Sequence, residues 1–170
     1  ILSDKNFKIE DKTKSRLINY LSRCSGLTGI AGGQYLDLSY EKKKVSFKKI
    51  LNMELKKTGK LFEFCCVAPL IIRKNKKEIN SFSKIGKDIG LLFQIVDDLI
   101  DFKGKTRFAG KKTKKDTKRG KATIISLLGY ENTVKYVNKL EQNIYNKLRV
   151  HSNKADELKE TIKFIVKREK

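Results

Sequence analysis

A single histidine, His151, a single proline, Pro69, and no tryptophan occur in the 170 residues of the chain. Histidine-dependent chemistry, whether metal ligation or a Ser-His-Asp relay, therefore has little to work with. Cysteine is sparse as well: Cys24, Cys65 and Cys66 form an odd set, two of them adjacent, without metal-ligand spacing. Their apolar neighbours mark them as reduced core residues of a cytosolic protein. Crossing a bilayer takes ~18 apolar residues, and the longest run, Phe64 to Ile72, stops at nine. No secretory leader is recognisable at the start, so a cytoplasmic location without a membrane span is expected. No β-branched alternation long enough for a strand occurs, and the expected fold class is all-α.

Acidic residues are outnumbered, 19 against 40 basic, which leaves a net charge of +21. Such an excess suggests nucleic acid, an anionic membrane or an acidic substrate. Arginine contributes only seven of the forty, and arginine is what bidentate phosphate and base recognition favours. The lysines are scattered through every segment, as from Lys42 to Lys44 and from Lys74 to Lys77. Outside one loop they read as a solvated surface, and no nucleic-acid partner is expected. The length suits one domain, residues 1–170, with a sizeable core.

That one loop belongs to the stretch around which the chain is organised, Gly90 to Lys121. Its first half carries Asp97, Asp98 and Asp101 in the pattern D-D-x-x-D. At about 100° per residue, Ile89, Leu92, Phe93, Val96 and Ile100 share one arc of a helix. Gln94, Asp97, Asp98 and Asp101 fill the neighbouring arc, and Gly86 and Gly90 leave that flank open. Carboxylates grouped this way suit a hard divalent cation, which takes oxygen ligands. A solvated acidic face has the same spacing, and spacing alone does not separate the two. The second half holds ten Lys or Arg between Lys103 and Lys121, with one acid, Asp116. Acids delivered into a cationic loop suggest a metal ion and a polyanion held together. A nucleotide P-loop is excluded: five residues separate Gly104 from Gly110 where four are required, and Lys112 stands where Ser or Thr should.

Elsewhere the pattern is helical. Asp11 is placed to cap a helix from Lys12 that carries Leu17, Ile18, Leu21 and Cys24 and continues through the glycine-rich segment 26–33. Gln34 and Asp37 follow, equally suited to satisfied burial or to substrate contact. An amphipathic helix covers Val45 to Leu55, and Gly59 is expected to kink it and so open a space for the Lys57 ammonium. Pro69 is expected to bend or end the helix, and 73–80 reads as a solvated linker. Asn80 or Ser81 begins the aspartate helix. Three more helices are expected over 123–128, 133–148 and 155–166.

Four segments together resemble the head-to-tail (E)-polyprenyl diphosphate synthases, the family of farnesyl and geranylgeranyl diphosphate synthases. FQIVDDLID (Phe93 to Asp101) resembles the family's second aspartate-rich motif, and GKKTKKDTKRGKAT (Gly110 to Thr123) its following loop. GLTGIAGGQYLDL (Gly26 to Leu38) resembles its G-x-x-G-[MI]-x-x-G-Q-x-x-D-[LI] helix, and KKTGKLFEF (Lys56 to Phe64) its K-T-G-x-L helix. The basic end of the chain resembles that of short-chain members.

The resemblance implies an isoprenoid-synthase-type helical bundle, present here as a C-terminal portion without the N-terminal helices that carry a first aspartate-rich motif. It implies condensation of an allylic diphosphate with isopentenyl diphosphate, with Mg2+ as cofactor, in a homodimer. By the same resemblance Asp97, Asp98 and Asp101 hold metal and Asp116 stands in its outer shell. Lys57, Lys111 and Lys121 bind diphosphate, and Lys57, Thr58 and Gln94 are catalytic, the last two near the reacting carbons. Lys60 and Phe62 depart from the family's smaller or aliphatic residues. Two rivals belong to other classes: a non-catalytic subunit or terpene-cyclising relative of the same fold, and a basic helical nucleic-acid binder.

Overall fold

The computed structural model describes residues 2–108 and 123–168, apart from the side chains at 105–108. Among the described residues the elements are helices only, in keeping with the expected all-α class. In chain order they are α1 (Asp11–Ser25), α2 (Ile30–Tyr40), α3 (Phe47–Glu54), a π-helical turn (Leu55–Gly59), α4 (Lys60–Ile72), α5 (Ile79–Phe108), α6 (Ile124–Leu128), α7 (Tyr130–Leu148), a 3-10 turn (Arg149–Ala155) and α8 (Asp156–Lys167).

Glu10, not Asp11, holds the cap position of α1. Asp11 falls in the first turn, where a negative charge favours the helix dipole. The helix expected to run through 26–33 ends at Ser25, and the chain turns before α2 begins at Ile30. Gly29 makes the turn possible, because a Cβ there would stand 1.7 Å from the carbonyl oxygen of Cys24.

At Gly59, where a kink is expected, the helical hydrogen bonding is not interrupted. Residues 55–59 widen into a π turn, and α3, this turn and α4 follow one another without a break. Such turns occur mostly as single insertions in α-helices, frequently at functional sites. Pro69 does not end α4 at once: it lies inside the helix, which stops three residues later at Ile72. A proline there leaves the carbonyl of Cys65 without its i+4 donor. Cys65 is exposed, so water can replace that donor. The three thiols are free, but only Cys24 is buried, which corrects the expectation of three core cysteines.

Helix α5 is the central element. The expected arc is inside, with Ile89, Leu92 and Val96 buried, but Leu91, Ile95 and Leu99 off that arc are buried too. The cause is tertiary: α4 and the π turn cover one side of α5, while α7 and α8 cover another. These residues join Ile50, Met53, Val137, Ile144, Leu148 and Ile162 in the main core. Each fully buried aliphatic side chain contributes roughly 1.5–3 kcal/mol. A second core of Leu17, Val67 and Ile71 holds α1 against α4.

Gly86 and Gly90 do not leave an open flank. A Cβ on Gly86 would stand 2.6 Å from the carbonyl oxygen of Phe62, and one on Gly90 2.7 Å from the Cα of Gly59. The glycines bring two helix backbones into contact instead. Beyond the basic loop, Thr123 and Ser126 form a reciprocal capping box for α6. No described helix is long and apolar enough to cross a membrane.

Candidate functional site

The π turn presents two consecutive polar side chains to two different helices. Lys57 reaches α2, where its Nζ lies 2.5 Å from Asp37 Oδ2. Gly33 permits this approach, since a Cβ there would come within 2.3 Å of the Lys57 backbone nitrogen. Asp37 stands one helical turn beyond Gly33, which places its carboxylate beside the ammonium. Thr58 reaches α5, where its Oγ1 donates to Gln94 Oε1 at 2.9 Å. Here the Gly59–Gly90 contact sets the approach, and Gln94 stands one turn beyond Gly90.

Gln94 passes the connection along α5, donating from Nε2 to Asp98 Oδ1 at 3.2 Å. The carboxyl of Asp98 is pushed up to about 6, chiefly by burial, while the Gln94 hydrogen bond holds it down and the charges of Asp97 and Asp101 raise it further. Lys57 acts on Asp98 in the opposite, stabilising sense. Lys57, Thr58, Gln94 and Asp98 are therefore electrostatically one group, although they lie 41 residues apart at the extremes.

Asp97 points elsewhere. Arg168, the residue after α8, places Nη2 3.1 Å from Asp97 Oδ1. Its guanidinium carbon lies 5.0 Å from the centre of the Phe93 ring. Asp101 is exposed one turn beyond Asp97. The three aspartates thus lie close together but in different surroundings. Lys111, Asp116 and Lys121 lie outside the described residues.

Among the described residues, no group of three or more His, Cys, Asp or Glu side chains converges on a metal position. Magnesium does not require one. It commonly uses one or two carboxylates and completes its shell with water and substrate phosphates. The oxygen donors of Asp97, Asp98 and Asp101 are of the right chemistry, and the half-exposed Asp97 and exposed Asp101 are open to such a ligand set. The residues fit the cation.

A second polar cluster escaped the sequence reading. Glu63 is buried at 4% exposure between α1, α4 and α5. Tyr20 and Ser83 donate to its Oε1 at 2.9 and 2.7 Å. Lys60 lies 2.8 Å from Oε2, and Lys87 3.4 Å from Oε1. Burial pushes the Glu63 carboxyl up, but the hydrogen bonds from Lys60, Ser83 and Tyr20 outweigh it and hold the group below its ordinary value. Lys60, a departure from the family pattern, is accounted for by this carboxylate. A glutamate inside the apolar run 61–72 was the available signal. Arg168 was legible only as part of a basic terminus, since its partner lies 71 residues away.

A carboxylate-bearing central helix set against a lysine-bearing π turn, within an all-helical bundle, is the class that the fold and site define. The family model for Polyprenyl synthetase matches residues 3–165, and the chain belongs to that family. Farnesyl diphosphate synthase of Micrococcus luteus is 35% identical over 166 residues, covering 97% of this chain and 57% of that protein. The apo crystal structure of an FPP/GFPP synthase from Zymomonas mobilis superposes with a TM-score of 0.82 at 34% identity, over 97% of this chain and 55% of that one. A geranyltransferase from Helicobacter pylori, solved with magnesium and isoprenyl diphosphate, gives 0.78 at 27% identity, over 98% and 55%. The chain spans about half the length of the curated relatives it matches.

Proposed function

We propose that this chain contributes the second carboxylate helix and the diphosphate-binding lysines of a short-chain prenyl diphosphate synthase in isoprenoid biosynthesis. The reaction joins an allylic diphosphate to isopentenyl diphosphate. The observation that carries the proposal is the apposition of Lys57 and Thr58 on the π turn to Gln94 and Asp98 on α5. Its support from relatives is the farnesyl diphosphate synthase likeness and the magnesium and isoprenyl diphosphate in the Helicobacter pylori structure.

In this reading the allylic C–O bond breaks and its electron pair leaves with the diphosphate. The isopentenyl double bond attacks the allylic carbon, and a proton is then lost. The leaving group carries the developing negative charge, so preformed positive charge is the main catalytic contribution. Bound Mg2+ supplies Lewis acidity toward the diphosphate oxygens, with Asp97, Asp98 and Asp101 as its ligands and Asp116 in its outer shell. Lys57 meets the diphosphate with its ammonium, held ready by Asp37. Lys111 and Lys121 are assigned the same role. The Gln94 carbonyl and Thr58 hydroxyl turn their dipoles toward the cationic carbon, and their mutual hydrogen bond limits how far either can rotate. A cytoplasmic homodimer belongs to the same reading.

Asp97→Ala tests it. Turnover, followed by diphosphate release, is expected to fall roughly a hundredfold or more, while the thermal midpoint changes little because Asp97 is half-exposed. Near-normal turnover in the folded variant would remove Asp97 from the site.

A further inference from the structure

We infer that Arg168 is a built-in occupant of the metal-binding carboxylate, which gives up Asp97 when a divalent cation arrives. The inference rests on the metal assignment of Asp97 made above and adds a competitor to it. Three observations carry it. The guanidinium is 3.1 Å from Asp97 Oδ1, the first acid of the D-D-x-x-D motif. Its guanidinium carbon lies over Phe93, one turn before Asp97 on α5, at 5.0 Å from the ring centre. Ile162, Ile165 and Val166 anchor α8 in the bundle immediately before it.

Physical chemistry makes these observations into a switch. A cluster of three carboxylates on one helix repels itself, and Arg168 relieves that repulsion when no cation is present. A divalent cation at Asp97 does the same more strongly, and it repels the guanidinium. Both positive groups cannot keep the carboxylate at full strength. Phe93 offers the displaced guanidinium a second place to stay, because cation–π attraction holds it over the ring without the carboxylate. The anchored α8 limits its travel to side-chain rotation. Arg168 then stands at the edge of the cation site with its five donors free, and a planar guanidinium suits phosphate oxygens. The same residue therefore guards the empty site and lines the filled one.

Mn2+ binding to the full chain, read from the free-ion electron paramagnetic resonance signal, tests the inference without a turnover measurement. An exposed ion pair of this kind is worth little, so Arg168→Gln should tighten Mn2+ binding by only about two- to fivefold. Lys167→Gln removes an equal charge from the adjacent position and is the control for general electrostatics. With inorganic diphosphate present as well as Mn2+, Arg168→Gln should lose its advantage or bind the diphosphate more weakly than the unaltered chain. Equal shifts in Arg168→Gln and Lys167→Gln would overturn the inference, as would weaker Mn2+ binding in Arg168→Gln. Asp97→Asn separates the two levels of the argument. If Asp97→Asn leaves Mn2+ binding unchanged, the metal assignment itself is wrong. If Asp97→Asn abolishes binding while Arg168→Gln leaves it unaltered, only the competitor role fails.

Discussion

Gly59 and Gly90 meet backbone to backbone: a Cβ built on Gly90 would stand 2.7 Å from the Cα of Gly59 and 3.1 Å from its nitrogen. No side-chain rotation can relieve that overlap, because the atoms in the way are main chain. The contact fixes how closely the π turn approaches α5, and hence whether Thr58 can reach Gln94.

Gly90→Ala should therefore destabilise the protein, although alanine is the better helix former by about 1 kcal/mol. Overpacking typically costs about 1–3 kcal/mol, which exceeds that gain. Gly104→Ala on the same helix is the comparison, since nothing lies within 4 Å of its added Cβ. It should be neutral or stabilising by up to about 1 kcal/mol. Chemical denaturation of both variants checks this, and equal stability of the two would refute the close-packing account.

The Lys57–Asp37 pair predicts an asymmetry in diphosphate binding. Lys57→Met removes the charge proposed to meet the ligand and should weaken binding of inorganic diphosphate with Mg2+ by roughly tenfold, equivalent to about 1.4 kcal/mol. Asp37→Asn keeps the ammonium and loses only its positioning partner, so it should weaken binding less. Calorimetric titration would distinguish them. Equal losses would mean that the pair serves the packing of α2 and contributes no separate ligand contact.

The Glu63 cluster predicts acid sensitivity with a definite sign. Its folded-state carboxyl titrates below the ordinary value of 4.5. The stabilisation is therefore fully present above the unfolded value and is lost as the pH falls through the folded one. Tyr20→Phe removes one donor, which moves the folded value back toward 4.5. That variant should lose about 1–2 kcal/mol at neutral pH, and its stability should fall less steeply between pH 5 and the acid limit (roughly pH 2–3). Denaturation midpoints across that range are the measurement. An unchanged acid slope would remove Tyr20 from the charge balance of Glu63.

The sequence carried the all-helical class, the apolar arc of α5 and the helices over 133–148 and 155–166, because helical periodicity is local. It also carried the D-D-x-x-D motif and the Lys57-Thr58 pair, through a pattern shared with the family. Prediction went astray where a local rule met a tertiary contact. Gly86 and Gly90 read as an open flank because a missing side chain can mean access or close approach, and only the neighbouring backbone distinguishes the two. Gly59 read as a kink, and Pro69 as a bend or an end of the helix. Packing of the π turn and α4 along α5 keeps the helix going through both positions.

What the amino-acid order determined by itself was which residue types recur at helical spacing, and hence the helices and the arc that carries the acids. The tertiary structure alone decided the partners: Asp37 for Lys57, Gln94 for Thr58, Arg168 for Asp97, and Tyr20, Ser83, Lys60 and Lys87 for Glu63. Apart from Lys60, those partners are separated by 20 to 71 residues. Side-chain hydrogen bonds act over about 3 Å. A chain with no regular repeat does not encode which distant residues will come within that distance until glycine contacts and core burial have set the helices against one another.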